Sequence, residues 1–360
     1  MTAAVAAPEL VLTAWSAVSP YGIGAEPFRA GVLSGQPALD ERGEDVAGPF
    51  PMAGLIPDFS PAGYLGRKGT RAMDRLTGIA VAAVGLLVRD CGPGLTAEPE
   101  RIGLVLGTGS GSAQSIMDFT MESLASDRPY LVDPARFPNT VMNKAAGQSA
   151  IWHGLRGPNT TITGDWLTGL LALSYAARVL RGGRSDRVLV GMVEECTPQR
   201  AWLEWHAGAD TRPAPALGEG GVVFLMEPAT AAATAGRTPL ANLRVTRFRG
   251  YRDDAREALA SCVRDALEEA DLPPAAVRAV APLADEGGHA AAERAALAEV
   301  LGAGARMLPC RGLIGDTSAA ATGFQLAAVL AALAEDPGAG LVTAIDRDGT
   351  VGCAVVEVVR

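Results

Sequence analysis

Apolar runs alternate along the chain with stretches of helical periodicity, the pattern of an α/β fold whose strands are covered on both faces. "ELVLTAWSAVS" reads as a strand near the start, and "RIGLVLGTGSGSA" as a strand ending in a glycine-rich turn. "RAMDRLTGIAVAAVGLLVRD" predicts a helix that is apolar over most of its surface and therefore buried, and "SAQSIMDFTMESLAS" a second helix. "TTIT", "DWLTGLLALSYAARVLRGG" and "DRVLVGMVEE" give strand, helix and strand, and "GEGGVVFLMEP" a further strand. A low-complexity joint, "EPATAAATAGRTPLA", follows. The pattern then restarts with strand "NLRVTRFRGYR", amphipathic helix "DDAREALASCVRDALEEADL", strand "VRAVAPLAD" and helix "AAERAALAEVLG". An apolar helix, "TSAAATGFQLAAVLAALAED", and a closing hairpin from "AGLVTAID" and "VGCAVVEVV" complete it. The similar order of elements on either side of the joint predicts two structurally duplicated halves, residues 1–230 and 240–360.

Composition narrows the function classes. With 48% hydrophobic and 20% charged residues in 360, the chain is globular and long enough to bury a large core. A net charge of −9 argues against nucleic acid as the main partner, because such binders need a basic footprint. No apolar run reaches the roughly 18 residues that span a bilayer, and the N-terminus lacks a basic region followed by an apolar core; a cytoplasmic protein with no membrane partner is expected. Cys91, Cys196, Cys262, Cys310 and Cys353 form no metal-ligand spacing, so they read as buried thiols and no metal site or cofactor is expected.

Two stretches invite chemistry. "GLVLGTGSGS" lacks the spacing of a dinucleotide fingerprint, and Asp127, at the distance where the ribose-binding acid would stand, falls in the loop "ASDRPY"; tight packing at a strand end fits better. The turn between "TTIT" and "LTGLLAL" is more specific. A helix N-terminus presents free N–H groups and partial positive charge, which activate a thiol and stabilise an oxyanion, so acyl-transfer enzymes place a nucleophile there. Here the turn carries Asp165 and Trp166.

The ordered set "RAMDRLTGIAVAA", "FPNTVMNKAAGQSAIWHGLRGPNTTIT", "GLLALSYAARVLRGG", "RVLVGMVEE", "GEGGVVFLMEP" and "GLIGDTSAAATGFQLAAVLAAL" resembles the successive landmarks of β-ketoacyl-ACP synthases of the thiolase fold, with a shortened C-terminal half. The resemblance implies two βαβ halves in a five-layer αβαβα arrangement. Condensing members use a Cys on the turn and two His on later loops. The Cys position falls on Trp166, the first His near Leu283 or Ala284 in "PLADEGG", and the second on Asp316 in "LIGDTSAAATG". The late glycine-rich loop of the family is replaced by "AIDRDGTVG". His289 starts a helix past the first His loop, His153 reads as a packed helix-end residue, and His206 as a surface residue in a loop.

Members that lack the catalytic residues, the chain-length factors of type II polyketide systems, pair with an active ketosynthase. They commonly carry Gln where Trp166 stands, so this chain departs from them in detail. The resemblance implies a heterodimer with an active β-ketoacyl-ACP synthase, transient contact with acyl carrier protein, and a polyketide tunnel lined from "SIMDFTMESL". Its gating positions fall on Met117, Thr120 and Leu124, whose spacing shares one helix face; an ordinary core stripe fits that spacing equally well. Arg178, Arg181 and Arg184, with Arg187 nearby, and a second cluster of Arg67, Lys68, Arg71 and Arg75, offer docking candidates for the acidic carrier protein, or are solvated helix ends. Two alternatives stay open. Asp165 and Asp316, with Thr163, Thr168 or Thr317, could form a remodelled acyltransferase or hydrolase site, or the chain could be a self-associating acyl-binding protein without a ketosynthase partner.

Overall fold

The computed structural model describes residues 8–125, 127–207, 216–283 and 287–359. Ten strands follow one another across a single sheet: Arg306–Met307, Val277–Ala281, Ala339–Ile345, Thr350–Val358, Ala241–Gly250, Leu10–Ser19, Gly220–Pro228, Arg187–Glu194, Ile102–Gly107 and Asn159–Ile162. The two halves of this row have the same topology. From the outer edge inward, each reads third, second, fourth, fifth and first in its own chain order. The halves meet where Leu10–Ser19 pairs with Ala241–Gly250, through Val11 with Asn242 and Leu12 with Ala241. The low-complexity joint contains a short helix, Ala229–Thr234.

The central strands are buried along almost their whole length, as helices on both faces require. Helices Arg75–Cys91 and Lys144–His153 cover the outer face of the first half-sheet, and Ala255–Glu269 and Gly287–Leu301 that of the second. Helices Thr168–Arg181 and Ala321–Leu333 lie between the half-sheets and form the largest apolar cluster with both of them. This is the five-layer thiolase arrangement. The two inner helices approach closely at Gly169, where a Cβ would stand 2.3 Å from Thr322 Oγ1 and 3.1 Å from the Gly323 nitrogen; a Cβ on Gly323 would stand 2.6 Å from Val222 Cγ1 of the adjoining strand. Among the described residues no helix is long and apolar enough to cross a membrane, and no group of three or more His, Cys, Asp or Glu is placed to hold a metal.

Candidate functional site

Each inner helix is entered through a short 3₁₀ turn, Asp165–Leu167 before one and Ser318–Ala320 before the other, and the two turns touch. Both open on a residue in the left-handed region, Asp165 at φ 44° and Ser318 at φ 42°, where a side chain is unfavourable and Asp is among the better tolerated. The first turn is tied internally. Thr168 Oγ1 donates to the Asp165 carbonyl at 2.6 Å and accepts from Gly164 N–H at 3.0 Å. Trp166 at its crest is 9% exposed.

Two guanidiniums lie over the indole. The Arg347 guanidinium carbon is 4.6 Å from the ring centroid and that of Arg311 is 5.0 Å. The His289 ring meets Trp166 edge-on at 6.5 Å. Each arginine is also anchored by carboxylates. Arg347 donates to Asp165 Oδ2 from Nη2 at 2.9 Å and from Nε at 3.2 Å, and reaches Glu204 Oε2 at 3.5 Å. Arg311 Nη2 donates to Asp316 Oδ2 at 2.5 Å. Asp316 Oδ1 accepts from Ser318 N–H at 2.8 Å, and buried Arg200 donates to the Asp316 carbonyl at 2.8 Å. The surroundings of Trp166 are thus a set of paired charges closed around an aromatic ring, the geometry in which cation–π attraction is strongest once water is excluded.

Electrostatics follows from that enclosure. Burial pushes the Asp316 carboxyl up, but Arg311, Arg200 and the Ser318 N–H outweigh it and hold the group below the usual carboxylate range. Asp346, beside the turn, is pushed up to about 6 by burial and by neighbouring Asp165. Burial, then Arg347 and Arg311, hold His289 below its ordinary value and so neutral. Behind the site, burial raises Glu194 to about 7 against the pull of Arg200, and raises Glu195 to about 8 with Asp74 and Glu194 adding to it. Glu195 accepts from Leu76 N–H and Gln114 N–H, both at 3.3 Å, and from Ser112 Oγ at 3.1 Å. It therefore holds the N-terminal ends of helices Arg75–Cys91 and Ala113–Ala125 together.

The expected positions of the lost catalytic residues fall as follows. Trp166 and Asp316 share Arg311, so these two are brought together. Leu283 is 2% exposed and its N–H donates to buried Glu293, which leaves an apolar side chain where an imidazole would stand. Ala284 lies outside the described residues. A cavity lined by Leu283, Cys310, Arg311, Phe324 and Gln325, among others, measures about 10 Å³, room for about one water and not for an acyl chain. The carboxylates proposed for a remodelled site are both neutralised by arginine, and Thr163 Oγ1 is spent on the Gly109 carbonyl. Sequence reasoning missed Arg311 and Arg347; the signal for Arg347 was the replacement of the expected late loop by "AIDRDG", and Arg311 had none beyond lying five residues before Asp316.

Other expectations need correction. His206 belongs to helix Pro198–Ala207 and not to a loop, although it is exposed and stacks on Trp202. His153 packs as expected, with Nε2 2.9 Å from the Val81 carbonyl. Arg75 is no free docking cation: its Nε donates to fully buried Glu219 at 2.7 Å. Arg67, Lys68 and Arg71 are exposed. On helix Ala113–Ala125, Met117 is half-buried, Thr120 is exposed and Leu124 is 73% exposed, which removes the core-stripe reading. Arg178, Arg181 and Arg184 are exposed at the end of helix Thr168–Arg181, with no carboxylate partner among the described residues.

A match to the beta-ketoacyl synthase N-terminal domain covers residues 8–231. The chain is 29% identical over 241 residues to 3-oxoacyl-[acyl-carrier-protein] synthase 2 of Vibrio harveyi, an alignment that takes in 61% of this chain and 57% of that protein. It is 30% identical over 352 residues to a polyketide beta-ketoacyl synthase 2 of Streptomyces halstedii, covering 90% of this chain and 84% of the relative. Among solved structures, it aligns to a chain of the ishigamide ketosynthase/chain length factor with a TM-score of 0.88 and 39% identity, covering 98% of this chain and all of that one. The thiolase fold, the ketosynthase domain match and the ketosynthase/chain-length-factor relative agree: the chain belongs to the beta-ketoacyl synthase family and is a homologue of the chain length factors of type II polyketide synthases.

Proposed function

We propose that this chain is a catalytically silent, chain-length-factor-like subunit. It pairs with an active β-ketoacyl-ACP synthase, completes the dimer around the partner's active site, and shapes the tunnel in which a polyketide or specialised acyl chain grows. The observation that carries this reading is the closure of the nucleophile turn. Trp166 offers one N–H donor and no nucleophile, and two anchored guanidiniums cover its ring. A phosphopantetheine arm would have to displace both ion pairs and the indole to reach the helix N-terminus.

The pairing surface is supported separately. Strand Asn159–Ile162 ends the sheet and is paired only with Ile102–Gly107 among the described residues, so its outer hydrogen-bonding edge is open. Around it stand exposed Val141, Met142 and Ile151, with Met121, Leu124 and Phe137 on the neighbouring elements. Apolar exposure on that scale marks an interaction surface. Met117, Thr120 and Leu124 belong to the same region, where a second subunit would convert exposed side chains into tunnel wall. An acyl carrier protein delivers and withdraws the chain transiently.

The test is co-expression with an intact Cys-His-His ketosynthase encoded beside it. Size-exclusion chromatography should give one heterodimer, and product should form only when both chains are present. A ketosynthase that yields the same product alone, or condensation by this chain alone, would refute the reading.

A further inference from the structure

The open edge of the sheet is cationic, and among the described residues no carboxylate pairs with Arg178, Arg181 or Arg184 beside it. Helix Thr168–Arg181 lies over the edge strand, and Tyr175 stands beside Thr160 in the middle of that strand. The Arg178 guanidinium carbon lies 4.7 Å from the Tyr175 ring centroid. Tyr175, Arg178, Val179, Gly182 and Arg184 line a surface cavity of about 300 Å³. From Val141 to Arg184 the sequence contains a single acidic residue, Asp165, which Arg347 already holds, against Lys144, Arg156, Arg178, Arg181 and Arg184, of which Arg156 reaches Glu100 at 3.4 Å. A stretch of this sign stands out on a chain of net charge −9.

A strand added to this edge would lie about 4.8 Å away, and the layer above it would bring the second chain's helix to about 10 Å from Thr168–Arg181. Such a neighbour covers the cavity. Covering Arg178 and Arg184 without a counter-charge is strongly unfavourable, so the neighbour has to bring a carboxylate. A second copy of this chain, joined edge to edge, presents the same acid-poor stretch and cannot. We propose that the cavity lined by Tyr175, Arg178 and Arg184 receives an Asp or Glu side chain from a second, non-identical subunit, and that this cationic edge selects a heterodimer over a homodimer. The inference rests on the pairing reading given above and adds the chemistry by which the partner is chosen. It gives these arginines a partner other than the acidic carrier protein expected from the sequence.

The test compares the wild-type pair with the Arg178→Ala/Arg184→Ala and Arg178→Lys/Arg184→Lys variants, using the co-expressed ketosynthase as probe. Dissociation constants are measured at low and high salt, and a thermal melt confirms that each variant is folded. The alanine variant should pair at least roughly tenfold more weakly and lose most of the salt dependence, the lysine variant should recover part of both, and wild-type self-association should be far weaker than either. Pairing that is intact and indifferent to the arginines overturns this inference alone. So does loss of carrier-protein capture with pairing unchanged, which would make the cavity a carrier site, and so does self-association as tight as pairing with the ketosynthase. Failure of the wild-type chain to pair at all overturns the proposed function itself and this inference with it.

Discussion

Arg347 lies over the Trp166 ring at 4.6 Å while its Nη2 donates to Asp165 at 2.9 Å, so one side chain locks both residues of the turn that enters the inner helix. The turn opens on a left-handed residue and leads into an inner helix, and the indole and the two guanidiniums fill the space in front of it.

The turn should be chemically inert. Incubation with an acyl-carrier-protein thioester or a cysteine-directed electrophile should leave residues 163–168 without an adduct in peptide mass mapping. Trp166→Cys should gain modification at most and no condensation, because Leu283 and Asp316 still stand where the imidazoles would be. Trp166→Ala should lower stability by about 3 to 5 kcal/mol in a denaturant titration, as for other buried aromatic truncations.

Arg311 and Asp316 should behave as a coupled pair. Both are nearly buried, at 12% and 7% side-chain exposure. Arg311→Ala strands a buried carboxylate and should destabilise by about 3 to 5 kcal/mol, whereas Arg311→Ala combined with Asp316→Asn should recover a large part of that loss. Additive single and double variants would show that the ion pair does not close the site.

Stability should decline with rising pH. Asp346, Glu194 and Glu195 have folded values raised to about 6, 7 and 8, above their unfolded values near 4. A raised carboxyl favours folding fully below its unfolded value, and that contribution is lost as pH climbs through the folded one. Asp316, held low, acts oppositely and loses its contribution only in acid. Melting temperature should therefore fall between about pH 5 and pH 9, and Glu195→Gln should flatten the profile, being the more stable protein at pH 9 by on the order of 2 kcal/mol. A melting temperature that climbs across this range would contradict the assignment.

Leu124 should separate stability from product length. At 73% exposure, Leu124→Ala should shift the stability of the isolated chain by no more than about 0.5 kcal/mol. In the reconstituted pair, mass spectrometry of the products should show longer chains. Unchanged product length would remove Leu124 from the tunnel wall.

Much of the fold was legible because burial dictates it. Strands covered on both faces read as continuous apolar runs, and the repeated element order announced the duplicated topology. Trp166 and Asp316 could be singled out because they stand inside strings that resemble the family's, and the structure sets both against Arg311. Arg311 and Arg347 could not, since a cation over an aromatic ring leaves no local periodicity and Arg347 lies more than 180 positions from the residue it holds. His289 was read as lying past its loop, yet a helix start can aim a ring back toward a neighbouring turn. Leu124 showed the limit of periodicity, which gives a shared helix face but not whether that face meets the core or open solvent.

The interlocking around Trp166 also constrains descent. A sequence returning toward condensation would have to change several positions, and each first step is penalised. Asp316→His leaves Arg311 without its carboxylate, and Trp166→Cys removes the surface on which two cations rest. Natural proteins sit only slightly above the stability they need, so intermediates that lose several kcal/mol are purged before any catalytic advantage accrues. On the proposed reading the loss of chemistry is thus self-sealing: mutation would refine such a subunit as a scaffold far more readily than it would turn it back into an enzyme.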